Sequence, residues 1–368
     1  MTLHIVVLGA GYSGLAAAKL AARWANAEVT LINAGDRFVE RVRLHQLATG
    51  QRLRDLPLAD LLKGTGVRLV VDRVTEIDPT TRTVRASEVI IRYDMLIYAL
   101  GSEADLDSVP GVREHAYTVA AADQASRLRE RLGASSIVAV AGGGLTGIET
   151  AAELAEAYPA LKVRLVTGGV LGAALSQRGK HYLRRTFDRL GVEVRENAAV
   201  TEVRADGLVL ADGEHVSADT VVWAAGFRVP RLARDAGFAV DDHGRMIVDQ
   251  TLRSVSHPEV SAVGDAAALH RQDGQELRMA CATGLPSAQQ AVRAIADRLA
   301  GREPRPLKFR YVNQCISLGR RDGLIQFVHS DDSPREAVLT GRLAALYKEA
   351  IVRGTILFER HPNLPASV

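Results

Sequence analysis

The feature of this sequence that most constrains its fold is a glycine-rich loop that occurs twice, each time between a short apolar strand and an Ala-rich helical segment. Both copies have G-x-G-x-x-G spacing, and their glycines are Gly9, Gly11 and Gly14, then Gly142, Gly144 and Gly147. The first glycine makes the turn, the second lets the backbone approach a pyrophosphate, and the third lets helix and strand pack closely. The following helix offers free N–H groups to the phosphates. The sequence therefore predicts two dinucleotide-binding βαβ units.

A second predicted strand follows each loop, over residues 27–33 and 162–169. The residue that ends this strand normally contacts the ribose and is commonly acidic. Asn33 occupies this position in the first copy and Thr167 or Gly168 in the second, so both sites lack the usual carboxylate. The Asn33 amide can still bond ribose hydroxyls. At Thr167 no charge repels a 2′-phosphate, and we expect the second site to discriminate little between NADH and NADPH.

The two cysteines, Cys281 and Cys315, are far apart in the chain and form no C-x-x-C motif. A disulfide framework and a dithiol redox centre of that type are therefore excluded, and a reducing compartment is favoured. Net charge is +3, and no basic run with interleaved aromatics indicates nucleic acid. The first strand begins by about Leu3, which leaves no room for a signal peptide. No apolar run is long enough to span a membrane, so we expect a cytoplasmic protein.

Five motifs follow one another along the chain: G-A-G-Y-S-G, Y-A-L-G-S, G-G-G-L-T-G-I-E, W-A-A-G and V-G-D-A. In this order they resemble the flavoproteins with two dinucleotide-binding domains, the pyridine-nucleotide-dependent flavin reductases. Segments 44–53, 74–84 and 142–156 resemble type II NADH dehydrogenases, and the core is also similar to that of the apoptosis-inducing-factor-like reductases. The resemblance implies an α/β fold with two Rossmann-like dinucleotide-binding domains and a small C-terminal domain.

The resemblance also implies that the FAD-binding domain is split by an inserted NAD(P)H-binding domain. We expect the FAD-binding domain to comprise residues 1–111 and 237–305, and the NAD(P)H-binding domain to comprise residues 112–236. Residues 306–368 would then form the C-terminal interface domain.

The same resemblance implies which residues bind the two dinucleotides. For FAD they are Gly9, Gly11, Tyr12, Ser13, Gly14, Asn33, Arg41, Gln46, Val74, Leu100, Gly101, Gly264, Asp265 and Pro286. For NAD(P)H they are Gly142, Gly144, Leu145, Thr146, Gly147, Thr167, Ala225 and Gly226. Asp265 would accept a hydrogen bond from a ribityl hydroxyl. A helix predicted over 287–300, with Pro286 at its first position, would direct its N-terminus at the pyrimidine side of the flavin. No metal site is predicted.

Two residues are expected near the reacting groups, again from the resemblance. Glu149 would lie close to nicotinamide and flavin and handle protons, although a first-turn Glu can also simply complement the helix dipole. Ala288 and Gln289 match the A-Q motif of type II NADH dehydrogenases, whose second Gln is here Arg293. The predicted function is an FAD-dependent NAD(P)H dehydrogenase that reduces a quinone-like acceptor without a redox disulfide. The alternatives are a soluble reductase for a ferredoxin-like or oxygenase partner, and an NAD(P)H-responsive flavoprotein switch with low turnover.

Segment 341–361 has apolar residues at helical spacing and basic residues on its other faces. The apolar residues are Leu343, Leu346, Tyr347, Ala350 and Ile351. A basic helix in a membrane interface has this pattern, and so does a helix that packs against the core or a second copy of the chain. Gly354 and Thr355 interrupt the pattern and favour packing. A homodimer, and peripheral contact of residues 341–358 with the inner face of a membrane, both remain open.

Overall fold

The computed structural model of the chain describes residues 3–364. Its α-helices are α1 (Tyr12–Trp24), α2 (Leu44–Ala48), α3 (Leu58–Leu62), α4 (Val112–His115), α5 (Ala122–Leu132), α6 (Leu145–Ala157), α7 (Gln177–Leu190), α8 (Leu232–Asp235), α9 (Cys281–Leu299) and α10 (Gly341–Arg360). Its strands are β1 (His4–Leu8), β2 (Glu28–Asn33), β3 (Arg68–Val71), β4 (Val74–Asp78), β5 (Thr83–Ala86), β6 (Ile90–Arg92), β7 (Met95–Tyr98), β8 (Glu103–Ala104), β9 (Ala116–Tyr117), β10 (Ile137–Ala141), β11 (Lys162–Val166), β12 (Glu193–Arg195), β13 (Val200–Arg204), β14 (Gly207–Leu210), β15 (His215–Ser217), β16 (Thr220–Trp223), β17 (Phe227–Arg228), β18 (Met246–Ile247), β19 (Val260–Ala262), β20 (Ala267–Ala268), β21 (Asn313–Ser317), β22 (Gly323–Val328) and β23 (Pro334–Thr340).

The first five-stranded sheet has the order β19-β7-β1-β2-β3, and its strands are parallel. In the central strand β1, Ile5 lies opposite Val29 and Met95. Its residues 5–8 are fully buried, as expected for a parallel sheet that is covered on both faces. Strand β19 joins from a part of the chain far beyond β7, as the split Rossmann-like domain requires.

The second five-stranded sheet, β12-β11-β10-β16-β9, is parallel as well and repeats this plan. Val138 of its central strand β10 lies opposite Val163 and Thr220. Helix α6 packs against β10 and β11 just as α1 packs against β1 and β2. The two glycine loops therefore occupy equivalent places in two Rossmann-like units, which confirms the predicted fold class.

The C-terminal part consists of the antiparallel sheet β21-β22-β23 and helix α10, which packs against β22. Ile316 and Leu324 of this sheet belong to the same buried cluster as Ile148 of α6. Phe358, near the end of α10, belongs to the core around the first sheet. The C-terminal part thus contacts both dinucleotide-binding units, where it can contribute to a site between them.

The prediction of a helix over 287–300 that begins at Pro286 is wrong, because α9 begins at Cys281. Its first turn forms earlier, where the carbonyl of Ala280 accepts hydrogen bonds from the N–H and the hydroxyl of Thr283. Pro286 lies inside the helix, where its missing N–H leaves one helical hydrogen bond unmade. The N-terminal dipole of α9 is therefore at Cys281, and Pro286 does not provide it.

Gly301 and Gly354 were both expected to affect a helix, and the structure confirms only the first. Helix α9 ends as predicted, with Gly301 in the left-handed conformation (φ +68°) just beyond it. Helix α10, in contrast, continues through Gly354 and Thr355 without a break. The Thr355 hydroxyl donates to the carbonyl of Val352 within the helix. The helical pattern of segment 341–361 is therefore uninterrupted.

Candidate functional site

The first glycine loop is closed at two of its glycines and open at the third. Gly9 has φ +93°, and a Cβ there would lie 2.6 Å from the carbonyl oxygen of Ala99. A Cβ at Gly14 would lie 1.8 Å from the carbonyl oxygen of Gly9. A Cβ at Gly11 would meet nothing within 4 Å, and Gly11 caps the N-terminus of α1. The loop thus leaves room for a pyrophosphate directly in front of the helix N-terminus.

The second loop reproduces this geometry. A Cβ at Gly142, where φ is +121°, would lie 2.6 Å from the backbone of Ala224, and one at Gly147 would lie 1.9 Å from the oxygen of Gly142. Gly144 again has nothing within 4 Å and caps α6. Leu145 and Thr146 form the first helical turn, as in the predicted set.

Other predicted residues lie at the carboxyl ends of the strands that flank β1 and β10. Leu100 and Gly101 follow β7, and Ala225 and Gly226 follow β16. At the equivalent edge of the second sheet, Thr167 follows β11, and its hydroxyl would lie 2.4 Å from a Cβ at Gly143. These are the sheet edges where ligands bind in open α/β folds. Two predicted residues are less central: Gln46 accepts a hydrogen bond from Arg43, and Val74 begins β4.

The Asn33 side chain is engaged with the backbone of the first unit. Its oxygen accepts the N–H of Ala10 at 2.8 Å, and its amide donates to the carbonyl of Gly35 at 2.7 Å. These bonds brace the glycine loop against the end of β2. Ribose binding by Asn33 remains a prediction that must use its remaining hydrogen-bonding capacity.

Asp265, Ser102 and Arg41 form a polar cluster beside the first loop. The Ser102 hydroxyl donates to Asp265 Oδ2 at 2.7 Å, and Arg41 Nη1 donates to the Ser102 carbonyl at 2.6 Å. The Arg41 guanidinium also lies 5.2 Å from the ring centroid of Phe227, the residue directly after Gly226. A side chain of the predicted FAD set thus contacts the residue that directly follows Ala225 and Gly226 of the predicted NAD(P)H set.

The first loop, the G-D turn and the start of α9 meet at Ser13. A Cβ at Gly264 would lie 2.5 Å from the Ser13 hydroxyl, and one at Gly284 would lie 2.7 Å from it. Side chains larger than hydrogen would therefore separate the three segments. This convergence brings the N-terminal end of α9 to the same place as the first loop.

Glu149 is buried at the junction of α6, α2 and α10. It pairs with Lys348, accepts the N–H of Ser317 at 3.0 Å, and lies 4.0 Å from Nδ1 of His45. Burial raises the pKa of Glu149, but Lys348, His45 and the Ser317 N–H outweigh burial and leave the pKa below its usual value. Burial lowers the pKa of His45 to about 4. At neutral pH the site therefore holds the Glu149 carboxylate beside a neutral His45 imidazole.

Several buried polar atoms beside the first loop have no hydrogen-bond partner among residues 3–364. They are Tyr12 Oη, Glu40 Oε2 and both carboxyl oxygens of Glu359. Burial raises the pKa of Glu359 well above its usual value. The open space at Gly11 and these unpartnered donors and acceptors suit a large polar ligand, so the residues present fit FAD.

Gln289 is buried in α9 and is tied to the end of the described chain. Its amide nitrogen donates to the carbonyl of Pro362 at 2.8 Å and to that of Leu364 at 2.5 Å. Its predicted neighbour in the motif, Arg293, packs over the ring of Trp24. The structure thus places Gln289 where α9 meets the C-terminal segment.

Two residues of this site, Ser102 and His45, were not predicted from the sequence. The pairing of Lys348 with Glu149 was not predicted either. Ser102 ends the Y-A-L-G-S motif and His45 lies in segment 44–53, so both were within reach of the motif comparison. Nothing local in the sequence pairs Lys348 with Glu149, because the two residues are 199 positions apart.

Two glycine loops of the same geometry, each on its own parallel sheet, are the arrangement expected of a protein that binds two dinucleotides. A sequence profile of the pyridine nucleotide-disulphide oxidoreductase family matches residues 3–294. The protein belongs to this family and is an FAD-dependent enzyme that uses a nicotinamide dinucleotide.

Individual proteins with similar sequences carry dehydrogenase names. An NADH dehydrogenase-like protein of Mycobacterium tuberculosis is 32% identical over 95% of this chain and 92% of its own length. A type II NADH:quinone oxidoreductase of Staphylococcus haemolyticus is 26% identical over 94% of this chain and 93% of its own.

Solved structures share the fold at lower identity. The sulfide:quinone oxidoreductase of Aquifex aeolicus superposes with a TM-score of 0.84 at 20% identity, covering 98% of this chain and 92% of that one. NDH2 of Plasmodium falciparum in complex with NADH superposes with a TM-score of 0.82 at 16% identity, covering 98% of both chains. At these identities the likeness establishes the fold.

Proposed function

We propose that this protein is an FAD-dependent NAD(P)H dehydrogenase that reduces a quinone at a membrane surface. The observation that carries the proposal is the position of α10. Its inner face reaches Glu149 through Lys348, whereas its outer face is apolar and exposed. A lipid-soluble acceptor is expected where one element connects the redox site to an apolar surface.

The outer face of α10 forms what we call the apolar stripe, which consists of Leu343, Leu346, Tyr347, Ile351 and Leu357. Leu343 and Leu346 are each 66% exposed, and Leu357 is 54% exposed. These residues do not pack against the protein's own core, although the opposite face of α10 does so through Ile356 and Phe358.

The inner face of α10 carries charged side chains beside the buried apolar residues Val352, Ile356 and Phe358. Glu349 accepts two hydrogen bonds from the Arg43 guanidinium, both at 2.9 Å. Lys19 donates to the carbonyls of Glu359 and Arg360 at 2.6 and 3.0 Å, where a cation also complements the helix dipole. These contacts fix the orientation in which the apolar stripe faces outward.

Exposed arginines favour a membrane over a second protein copy as the partner of the apolar stripe. Arg342, Arg353 and Arg360 follow one another at intervals of 11 and 7 residues, close to three and two helical turns, so they lie along one flank of the stripe. Apolar residues that enter the acyl region beside basic residues at the headgroups are typical of an interfacial helix. No helix within residues 3–364 is long and apolar enough to cross a membrane, so the contact we propose is peripheral.

The proposed chemistry assigns a task to each group of residues. The N-termini of α1 and α6 bind the two pyrophosphates, and Arg41, Ser102 and Asp265 orient the ribityl end of FAD. FAD supplies, when bound, the ability to accept a hydride from NAD(P)H and to release its electrons to the acceptor. Reduction of a quinone to a quinol takes up two protons, and Glu149, which Lys348 holds in place, is the carboxyl group that can carry protons at this end of the site.

The decisive experiment follows the oxidation of NADH and NADPH by the FAD-loaded protein with menadione, with a ferredoxin, or with no acceptor. We expect at least one nucleotide to bleach the flavin absorbance under anaerobic conditions, and menadione to restore it with steady turnover. Turnover only with the ferredoxin would replace the quinone by a protein acceptor. If neither nucleotide bleaches the flavin, the second loop does not bind a hydride donor and the proposal is wrong.

A further inference from the structure

A groove of about 590 Å³ lies on the C-terminal sheet. Its lining includes the apolar side chains of Val312, Phe327 and Ala337 and the basic side chains of Arg310 and Arg335. The volume is in the range of small-molecule sites. We call this the Arg310–Arg335 groove.

The Arg310–Arg335 groove adjoins the apolar stripe of α10. Asn313, the residue next to Val312, donates from its amide to the Tyr347 hydroxyl at 3.0 Å, and Tyr347 belongs to the stripe. In the antiparallel pairing of β21 and β22, Asn313 lies directly opposite Phe327. The groove and the stripe therefore form one continuous surface, with Arg342, Arg353 and Arg360 along the other flank of the stripe.

The two guanidinium groups of the groove are not neutralised by their neighbours. Neither Arg310 nor Arg335 donates a side-chain hydrogen bond or forms an ion pair within residues 3–364. The adjacent acid, Glu336, points to the opposite face of β23, because side chains alternate along a strand, and there it accepts the N–H groups of Gln177 and Arg178.

The acids of the neighbouring turn are engaged as well. Asp332 pairs with Arg278 and also accepts a hydrogen bond from Gln314. Asp331 accepts hydrogen bonds from the N–H and the hydroxyl of Ser333. The groove thus presents two guanidinium groups that have no ion-pair partner among residues 3–364, above an apolar floor, and this combination suits an amphiphilic anion.

We propose that the Arg310–Arg335 groove binds the phosphate group of an anionic phospholipid whose acyl chains lie against the apolar stripe. Guanidinium groups bind phosphate oxygens through paired N–H donors, and Val312 and Phe327 cover the adjoining apolar part of the lipid. The proposal rests on the membrane contact described above. It adds selectivity for anionic lipid and a defined headgroup position.

The test measures how the FAD-loaded protein partitions onto vesicles of phosphatidylcholine, with and without about 30% phosphatidylglycerol as the anionic lipid. The variant Arg310→Gln/Arg335→Gln removes both guanidinium groups. The matched control Arg92→Gln/Arg127→Gln removes two exposed arginines from β6 and α5, neither of which lines the groove or belongs to α10. A third variant, Leu343→Ser/Leu346→Ser, weakens the apolar stripe and tests the membrane contact itself.

We expect wild-type protein to prefer the anionic vesicles by about 10-fold or more, and the groove variant to lose about 10- to 30-fold of its binding to them. The control should stay within about threefold of wild type, and the stripe variant should bind both vesicles poorly. A groove variant that behaves like the control overturns the proposal. Equal binding of wild-type protein to both kinds of vesicle also overturns the groove proposal but leaves the membrane contact standing. Binding to neither kind of vesicle overturns both the groove proposal and the membrane contact. Displacement by inorganic phosphate at matched ionic strength would identify a site for free phosphate and overturn the lipid assignment.

Discussion

Lys348 of α10 and Glu149 of α6 form a buried ion pair that joins the C-terminal helix to the second dinucleotide-binding unit. Both side chains are largely buried, at 14% and 12% exposure. The pair is reinforced by the N–H of Ser317, which donates to the same carboxyl oxygen of Glu149 that Lys348 contacts. A change at Lys348 should therefore affect the fold and the chemistry of the site together.

Replacing Lys348 with Met should destabilise the protein by about 3–5 kcal/mol at pH 7, because it leaves the Glu149 carboxylate buried without its partner. Urea unfolding of the FAD-loaded protein measures this change. The double variant Glu149→Gln/Lys348→Met has no unpaired charge and should be more stable than the single Lys348 variant. Strictly additive effects of the two substitutions would show that the residues do not interact.

The stability of the single variant Lys348→Met should depend on pH. In wild-type protein the pKa of Glu149 is lowered, so its stabilising contribution is present above the usual carboxyl pKa and is lost as the pH falls through the folded pKa. Without Lys348, burial dominates and raises the pKa of Glu149, so the carboxyl group becomes protonated and neutral as the pH falls. The stability deficit of Lys348→Met relative to wild type should therefore shrink between pH 7 and pH 5. A constant deficit over this range would contradict the pairing.

His45 should make the protein sensitive to acid. Its pKa is about 4 in the folded protein and roughly 6.5 in the unfolded chain. The unfolded chain therefore binds a proton that the folded protein excludes, and stability is lost as the pH falls from about 6.5 towards 4, by up to about 1.4 kcal/mol per pH unit. His45→Gln should flatten this slope in urea unfolding at several pH values. The exposed His181 provides the control, and equal slopes for His45→Gln and His181→Gln would refute the assignment.

Local signals in the sequence predicted the two glycine loops, because turn, close approach and helix packing are each determined by residues within one βαβ unit. The end of α9 at Gly301 was predicted for the same reason. The start of α9 was not, because Pro286 is a strong local sign of a helix start and the earlier turn at Thr283 depends on contacts of the Ala280 carbonyl. The proline therefore indicated a later helix start than the one that forms at Cys281.

The orientation of α10 could not be predicted from its pattern. A helical repeat of apolar residues identifies an apolar face, but the usual assumption turns that face inward. Here the inner face carries Lys348 and Glu349, whose partners Glu149 and Arg43 lie far away in the chain. Only the folded arrangement brings those partners together, and the leucines then face outward.

The two glycine loops should be separable by mutation. Gly11→Val fills the open space of the first loop and should abolish FAD binding, giving colourless protein that releases no flavin on heating. Gly144→Val fills the equivalent space in the second loop and should leave the protein yellow, while NADH no longer bleaches the flavin. Each variant serves as the control for the other. Loss of FAD from Gly144→Val, or its retention by Gly11→Val, would reverse or refute the assignment of the two sites.

The choice between NADH and NADPH should be weak, because no carboxylate ends strand β11. Thr167 occupies that position next to Gly143. Glu196 directly follows the neighbouring strand β12, but its carboxylate is engaged by the N–H of Leu171 and by Arg184. We expect kcat/KM for the two donors to differ by less than about 30-fold, or roughly 2 kcal/mol. Thr167→Glu should shift the preference towards NADH by repelling a 2′-phosphate, whereas Thr167→Gln, of the same length but uncharged, should not. A thousandfold preference in the wild-type protein would mean that another residue reads the 2′ position, and equal effects of Glu and Gln would mean that size rather than charge decides.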